Sequence, residues 1–249
     1  MCCFAGKVDM VADTNIFARA SKDGRQFLVY SMRFKSADET AMILPIPTPK
    51  DSAEDAVKFI NLEKYPGLFA DMLNAFPLPK ADRGTKTDDV PPPKNVLAVV
   101  EVGGFVASFV PAIKDFARLD KQFRLPDGVW EKLPQYKEFG FAVFKLKKAE
   151  KKDSEQKVHP MAFEFPREDK KILFFPTVHI HDGTVPAKAK FDHSLFCQVS
   201  DTAPSGWEES PGLADTSVKV KETQGIVDGN GHLYRKLMKG TFENKDVGV

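Results

Sequence analysis

The sequence has little cysteine and no long apolar segment. Only three of its 249 residues are cysteine, and no stretch approaches the roughly 18 apolar residues that a transmembrane helix needs. The N-terminus also lacks the apolar core of a secretory signal, because Lys7, Asp9 and Asp13 interrupt it. These absences argue against a disulfide scaffold and a membrane protein. Three cysteines without framework spacing fit a reducing compartment, so we predict a cytoplasmic protein.

The sequence also has no surplus of either charge. It carries 36 Lys and Arg against 35 Asp and Glu, for a formal net charge of +1. Non-specific nucleic-acid binding therefore has little electrostatic drive, and we predict neither a nucleic-acid nor a membrane partner; the oligomeric state is left open. Tyrosine (4) and tryptophan (2) are scarce, whereas phenylalanine is abundant (21). This imbalance predicts a phenylalanine-rich core.

Alternating apolar residues between turn signals predict a chain dominated by antiparallel strands. The predicted strands are 14–20, 26–34, 41–47, 96–102, 105–110, 139–146, 162–165, 172–175 and 177–181. The acidic first turn in Ser52-Ala53-Glu54-Asp55 predicts a helix at 52–61. Apolar residues at helical spacing predict helices at 65–73 and 113–123, and a short helix is predicted at 129–137. The strand 26–34 is apolar on both faces and is therefore expected to be central. We predict an α+β fold, mainly antiparallel β-sheet with flanking helices.

The chain divides by composition into four segments of one domain. Residues 1–79 are predicted as an N-terminal β-hairpin and helical part, and 80–95 as a mobile Pro-rich loop that includes Pro91-Pro92-Pro93. Residues 96–199 are predicted as an α+β part completing the same domain. Residues 200–249 are predicted as a polar C-terminal extension.

Several short motifs follow one another along the chain between about residues 2 and 165. They are a cysteine-bearing opening, Asn15-Ile16-Phe17-Ala18, Ile43-Leu44-Pro45-Ile46-Pro47, Val102-Gly103-Gly104-Phe105, Leu125-Pro126, Tyr136 with Gly140-Phe141 and Lys145-Leu146, and His159-Pro160. In these motifs the chain resembles a bacterial family catalogued as domain of unknown function 2330. Members of that family usually carry a secretory signal and separated cysteines, whereas this chain has the adjacent pair Cys2-Cys3. The resemblance supports the predicted fold and draws attention to the N-terminal cysteines. It does not identify a reaction, because the function of the family is unknown.

The adjacent cysteines are the first candidate for chemistry. Removal of Met1 would place a thiol and an α-amine on one carbon of Cys2, which suits a nucleophile with a built-in base. The same atoms suit a metal ligand, and Cys3 offers a second thiol. The alternative is that Cys2 and Cys3 are small apolar residues at the start of a buried strand.

The second candidate is a histidine cluster, because three of the five histidines fall within fifteen residues. In a strand, His179 and His181 share one face about 7 Å apart, and imidazoles suit Zn, Cu or Fe. His193 adds a third imidazole, and Cys197 follows it by four residues. The alternative is a set of surface or hydrogen-bonded histidines.

Three hypotheses follow from these clusters. The preferred one is a metal-binding protein, and a metalloenzyme if the metal has an open position for a small-molecule substrate. Its ligands for Zn, Cu or Fe are predicted to be Cys2, Cys3, His179, His181 and His193. The second hypothesis is an N-terminal-nucleophile amidohydrolase, in which Cys2 is the catalytic residue and Arg19 orients a carboxylate. The third is a non-catalytic binding domain.

Overall fold

The computed structural model describes residues 3–6, 8–36, 38–77, 105–146, 156–157, 159–180, 184–200 and 202–249. Within these ranges the chain forms fourteen strands, one α-helix and short 3-10 turns. The strands are β1 (Cys3–Phe4), β2 (Met10–Ala20), β3 (Arg25–Lys35), β4 (Thr40–Ile46), β5 (Lys58–Asn61), β6 (Val106–Val110), β7 (Gly140–Leu146), β8 (Gln156–Lys157), β9 (Met161–Pro166), β10 (Phe174–Phe175), β11 (Lys188–Gln198), β12 (Glu208–Leu213), β13 (His232–Glu243) and β14 (Val247–Gly248). The helix α1 is Leu68–Asn74.

The strands form two large sheets and one small pair. Eight strands form the larger sheet in the order β12-β13-β11-β2-β3-β9-β5, with β8 pairing β3 beyond the end of β9. Only β11 and β2 run parallel among these neighbours; the other described pairs are antiparallel. The second sheet has the order β1-β4-β7-β6, and β10 pairs with β14. Cys3 in β1 also forms a parallel bridge with Ile180.

The β2–β3 hairpin follows directly from its sequence. Asp23 and Gly24 lie in its turn, and both have positive φ (58° and 73°). Aspartate tolerates the left-handed conformation and glycine adopts it without steric cost, so this dipeptide reverses the chain. The hairpin predicted here is confirmed. In addition, β3 lies between β2 and β9, as expected for a strand that is apolar on both faces.

The main core lies between the two large sheets and is rich in phenylalanine, as predicted. Phe144 of β7 is fully buried and contacts Phe163 of β9 and Phe59 of β5, with ring centroids 5.8 Å and 5.6 Å away. These contacts join the four-stranded sheet to the eight-stranded sheet. Alternate residues of β2, β3, β4, β7, β9 and β11 contribute to the same cluster.

Each sheet is also covered on its outer face. The outer face of the larger sheet, with Phe17 and Phe196, packs against α1 and the segment 214–227. The outer face of the smaller sheet, with Ile43 and Phe141, packs against the 3-10 turns between residues 113 and 136. Both faces of both sheets are therefore buried in their central parts, which explains strands that are apolar on both faces.

The predicted α+β class with flanking helices is wrong. Within the described ranges, α1 is the single α-helix and has seven residues. Residues 52–61, predicted as a helix, contain strand β5 instead. Residues 113–123 and 129–137 form short 3-10 turns. No helix in the described ranges is both long enough and apolar enough to cross a membrane.

The helices predicted at 113–123 and 129–137 did not form, although 113–123 has apolar residues at helical spacing. Phe116 and Phe123 recur at helical spacing, yet short 3-10 turns bury both of them. Helices of this length depend on tertiary packing for their stability. The segment predicted at 65–73 does contain the helix α1. Pro134 further interrupts the second segment at the start of its own turn.

Two of the predicted segments, 80–95 and 200–249, need comment. Residues 80–95, predicted as a mobile Pro-rich loop, and the predicted strand 96–102 lie outside the described residues. Residues 200–249, predicted as a polar extension, contain β12, β13 and β14. Strand β13 pairs with β11 from Lys188–Glu243 to Cys197–Tyr234. The C-terminal segment is therefore part of the larger sheet.

Asp246 ties the C-terminal segment to the cover of the smaller sheet. Its carboxylate accepts hydrogen bonds from the Tyr136 hydroxyl (2.6 Å) and from the backbone N–H groups of Thr177 (2.8 Å) and Val178 (3.0 Å). The residue keeps part of its surface exposed, but both carboxylate oxygens point inward at these donors. Burial raises the pKa of Asp246, and the hydrogen bonds oppose that rise.

We expect Asp246→Ala to lower the free energy of unfolding by about 3 kcal/mol, because three donors lose their acceptor. Asp246→Asn is expected to cost clearly less, since its amide oxygen still accepts from the two backbone N–H groups. Its NH2 group can donate to the Tyr136 oxygen. Urea unfolding of the parent and both variants measures the difference.

The pH dependence gives a second check on Asp246. A raised pKa means that the folded state holds this proton more tightly than the unfolded chain does. The contribution of Asp246 to stability therefore falls as the pH rises from about 4 through the raised pKa. This fall is expected in the parent and should be absent in Asp246→Asn. Equal stabilities of the Ala and Asn variants would contradict the assignment.

Candidate functional site

The segment 177–180 carries His179 of the histidine cluster, and side chains of the C-terminal segment hold this segment in place. The Asn244 side chain accepts a hydrogen bond from the His179 N–H (2.7 Å) and donates to the His179 carbonyl (2.9 Å). Asp246 accepts from the two preceding N–H groups. On its other side, Ile180 bridges to Cys3. The N-terminal segment therefore does reach the histidine-bearing strand, as the sequence hypothesis requires.

Cys3 and His179 nevertheless face opposite ways. Cys3 packs with Val178 and Ile180 in the apolar cluster on the outer face of the smaller sheet. His179 lies between Val178 and Ile180 in an extended segment, so its side chain points to the other face. There its ring contacts Phe191 of β11, with ring centroids 4.2 Å apart. The thiol and the imidazole therefore do not converge on one point.

His193 completes a buried aromatic group at this end of the core. Its ring stacks on His179 with centroids 5.2 Å apart and contacts Phe191 at 5.1 Å. Only 1% of His193 and 3% of His179 is exposed. Burial lowers the pKa of His193 far below its ordinary value, and the neighbouring His179 adds to this effect. His193 is therefore neutral at physiological pH.

A small cavity adjoins this aromatic group. It has a volume of about 250 Å³ and is lined by His179, His193, Phe191 and Thr14, among others. It lies beside an irregularity in the β2–β3 ladder, where the register shifts between Ala12 and Asn15. Asp13 has a positive φ of 55° there, so the bulge bends β2 away from its neighbour.

Cys197 does not act as a thiolate in this environment. It is fully buried in the main core, and burial raises the pKa of the Cys197 thiol to about 12. Cys197 lies four residues after His193 in β11, so the two side chains share a face of the strand. This spacing also places their Cα atoms about 13 Å apart. The pair is therefore too far apart to share a ligand.

The interpretation of the chain as a metal-binding protein is wrong. Across the described residues, no group of three or more His, Cys, Asp or Glu side chains could hold a metal ion. The reason is geometric: Cys3 faces the outer cluster, while His179 and His193 stack in the core. Cys2 and His181 lie outside the described residues, so the roles predicted for them, including the nucleophile role of Cys2, stay predictions.

Arg19, predicted to orient a carboxylate, lies at the end of β2 in a second candidate site. Its Nε donates to the Ile226 carbonyl (2.6 Å), and one of its terminal nitrogens donates to the Gly225 carbonyl. The guanidinium also lies over the Phe27 ring, 5.3 Å from its centroid. Burial lowers the pKa of Arg19, and the charge of Asp228 opposes this shift.

Two open cavities flank the β2–β3 turn, and Arg19 lines both. We call them together the turn groove. One cavity has a volume of about 790 Å³ and the other about 600 Å³. The basic residues lining them are Arg19, Lys22, Arg25, Lys58, Arg167, Lys170 and Lys171. The sequence pointed only to Arg19 among these residues, because they come from separate parts of the chain and the fold brings them together at the turn.

The buried state of His193 predicts an acid-sensitive fold. A lowered pKa means that the unfolded chain takes up a proton that the folded state does not bind. Stability is therefore expected to fall as the pH drops below about 6.5, by up to about 1.4 kcal/mol per pH unit. His193→Gln should reduce this slope, whereas His232→Gln, a change at a partly exposed ring, should keep it. Thermal unfolding between neutral and mildly acidic pH measures the slopes, and identical slopes in the two variants would contradict the assignment.

Comparison with solved structures reveals a likeness of fold. Baculovirus P35 aligns with a TM-score of 0.55 and 16% identity, covering 99% of this chain and 98% of that chain. A mutated baculovirus P35 after caspase cleavage aligns with a TM-score of 0.46 and 16% identity, over 95% and 99% of the two chains. A caspase-8/P35 complex aligns with a TM-score of 0.46 and 13% identity, over 95% of each chain. No family model and no curated protein matches the chain.

The likeness to baculovirus P35 defines the fold of this chain. Two large sheets face each other across the phenylalanine-rich core, and the arrangement is a P35-like β-sandwich. This finding replaces the predicted α+β class.

Proposed function

We propose that this chain is a non-catalytic protein-binding domain that inhibits a cysteine protease of the caspase class. The observation that carries the proposal is the likeness to baculovirus P35 over nearly the whole length of both chains. The alignment spans 99% of this chain and 98% of that chain, so it extends beyond a single β-sheet motif. Function does not follow from fold alone, so the proposal needs a direct test.

The solved forms of P35 support a partner of the caspase class. That protein has been crystallised in complex with caspase-8 and, as a mutant, after cleavage by a caspase. P35 thus engages caspases both as a bound partner and as a cleaved chain. For the present chain we propose a protein partner of the same class, in place of the small-molecule substrate expected from its sequence.

The described interior is consistent with a scaffold that presents a binding surface. The core between the sheets consists mainly of buried phenylalanine and aliphatic side chains. His193 is neutral and stacked on His179, and Cys197 is a protonated thiol in the core. These groups stabilise packing where they lie. A rigid support of this kind reduces the ordering cost of binding a partner.

We expect the purified chain to inhibit caspase-8 when added in molar excess, because the P35-like sandwich would present its binding surface already ordered. Residual cleavage of a fluorogenic peptide measures inhibition. Size-exclusion chromatography tests whether the two proteins elute together, and intact mass shows whether the chain is cut. A papain-type protease and a trypsin-type protease should keep their activity.

A variant pair controls for the folded state. Asp246→Asn, which is expected to keep the fold, should inhibit as the parent does. Asp246→Ala should lose inhibition at a temperature where its unfolding has been measured and the Asn variant remains folded. Full caspase activity together with an uncut, separately eluting chain would overturn the proposal. Cleavage of the chain without loss of caspase activity would also overturn it, because the chain would then be a substrate only.

A further inference from the structure

The turn groove concentrates positive charge in a chain that is nearly neutral. Seven basic and three acidic side chains line its two cavities, a surplus of four positive charges against a net charge of +1 for the whole chain. The acidic residues are Asp23, Glu164 and Asp228. A groove with such a surplus attracts anionic groups at short range.

One arginine of the groove is already neutralised. The Arg25 guanidinium forms an ion pair with Glu164 at 3.2 Å, and both side chains are largely shielded from solvent. The Ser21 hydroxyl donates to the same carboxylate. Glu164 is therefore occupied, and it does not compensate the other basic side chains of the groove.

Arg19 and Arg167 are held differently, because main-chain carbonyls rather than carboxylates fix their guanidinium groups. Arg167 is 8% exposed and donates to the carbonyls of Gly24 (3.3 Å) and Ile172 (3.2 Å). Arg19 donates to the carbonyls of Ile226 and Gly225. Within the described part of the chain, neither guanidinium belongs to an ion pair.

The guanidinium groups of Arg19 and Arg167 are therefore held in fixed orientations, and water solvates their charges only in part. Burial lowers the pKa of both Arg19 and Arg167, which reflects the cost of removing a charge from water. Each guanidinium has five N–H donors, and the carbonyl contacts use only some of them. A carboxylate in the groove would accept from the remaining donors and neutralise the charge, in the planar geometry that guanidinium groups favour.

We propose that the turn groove binds an acidic peptide segment of a protein partner, with carboxylates on Arg19 and Arg167. The inference rests on the proposed function, since it assigns the groove to the protein that this domain binds. Lys170 and Lys171 are exposed at its rim and attract the segment. Apolar residues such as Leu173 and Phe27 also line the cavities, and they suit peptide side chains better than a phosphate backbone.

The test uses a fluorescently labelled peptide of alternating glutamate and leucine, and a control peptide with glutamine in place of glutamate. Fluorescence anisotropy with the full chain should show binding of the acidic peptide only, and added salt should weaken it. Arg19→Lys keeps the charge but loses the planar donor pair, so we expect about tenfold weaker binding. Arg124→Lys is the matched control, because Arg124 is also held by backbone carbonyls but lies outside the groove.

A second pair of variants tests the rim without touching buried groups. Lys170→Gln with Lys171→Gln should weaken binding of the acidic peptide by about fivefold, from the loss of two exposed ion pairs. Lys64→Gln with Lys137→Gln removes two exposed charges elsewhere and should leave binding unchanged. Equal binding of the glutamate and glutamine peptides, or equal effects of the two double variants, would overturn the inference. Tighter binding of a single-stranded oligonucleotide than of the acidic peptide would also overturn it.

The caspase assay on the same variants separates the two proposals. If the parent inhibits caspase-8 and neither the acidic peptide nor the groove variants alter inhibition, the groove inference fails and the proposed function stands. If the acidic peptide binds as expected but no caspase is inhibited, the proposed function fails and the acidic-peptide site stands.

Discussion

The structure depends on the contact between the two large sheets through phenylalanine rings. Phe144 supplies the ring from the smaller sheet, and Phe59 and Phe163 supply rings from the larger one. Aromatic pairs of this kind add about 0.5–1.5 kcal/mol each beyond the area they bury. The outer faces of both sheets are apolar as well. Helix α1 and the segment 214–227 cover the larger sheet, and the 3-10 turns cover the smaller one.

The layered arrangement explains why two unusual clusters in the sequence do not form one site. The N-terminal strand and the segment 177–180 are neighbours, as the hypothesis of a shared site requires. Alternation along an extended segment then sends Cys3 and His179 into different layers. Proximity of two backbones is therefore not sufficient for shared chemistry. By contrast, the turn groove is lined by residues from the hairpin, from the end of β9 and from the loop after β11. No local sequence motif predicts it.

Much of the strand pattern could be predicted, because it is local. The hairpin turn with Asp23 and Gly24 and the alternating segments that became β3, β4 and β7 carry their signals within a few residues. Strand β11 was not predicted, although Lys190 and Asp192 alternate with buried positions as in a half-buried strand. Of the four predicted helices, 65–73 contains α1, whereas 52–61 contains β5 and the other two segments form 3-10 turns. Tertiary packing decides the structure of such short segments. For the site, the sequence marked Arg19 but not Arg167, whose place in the groove depends on long-range packing.

The parallel pairing of β2 with β11 has a consequence for how the chain acquires its structure. Thr14 pairs with His193, and Arg19 pairs with Gln198, so the partner of an early strand is encoded 179 residues later. Contacts between residues so far apart in sequence form slowly, because a long loop must close before they stabilise the fold. During synthesis the β2–β3 hairpin therefore emerges with one ladder edge open until most of the polypeptide has left the ribosome. The open edge of β2 has unpaired backbone N–H and C=O groups, and it can pair with the wrong strand or with another chain. A chaperone that binds this edge would prevent such pairing.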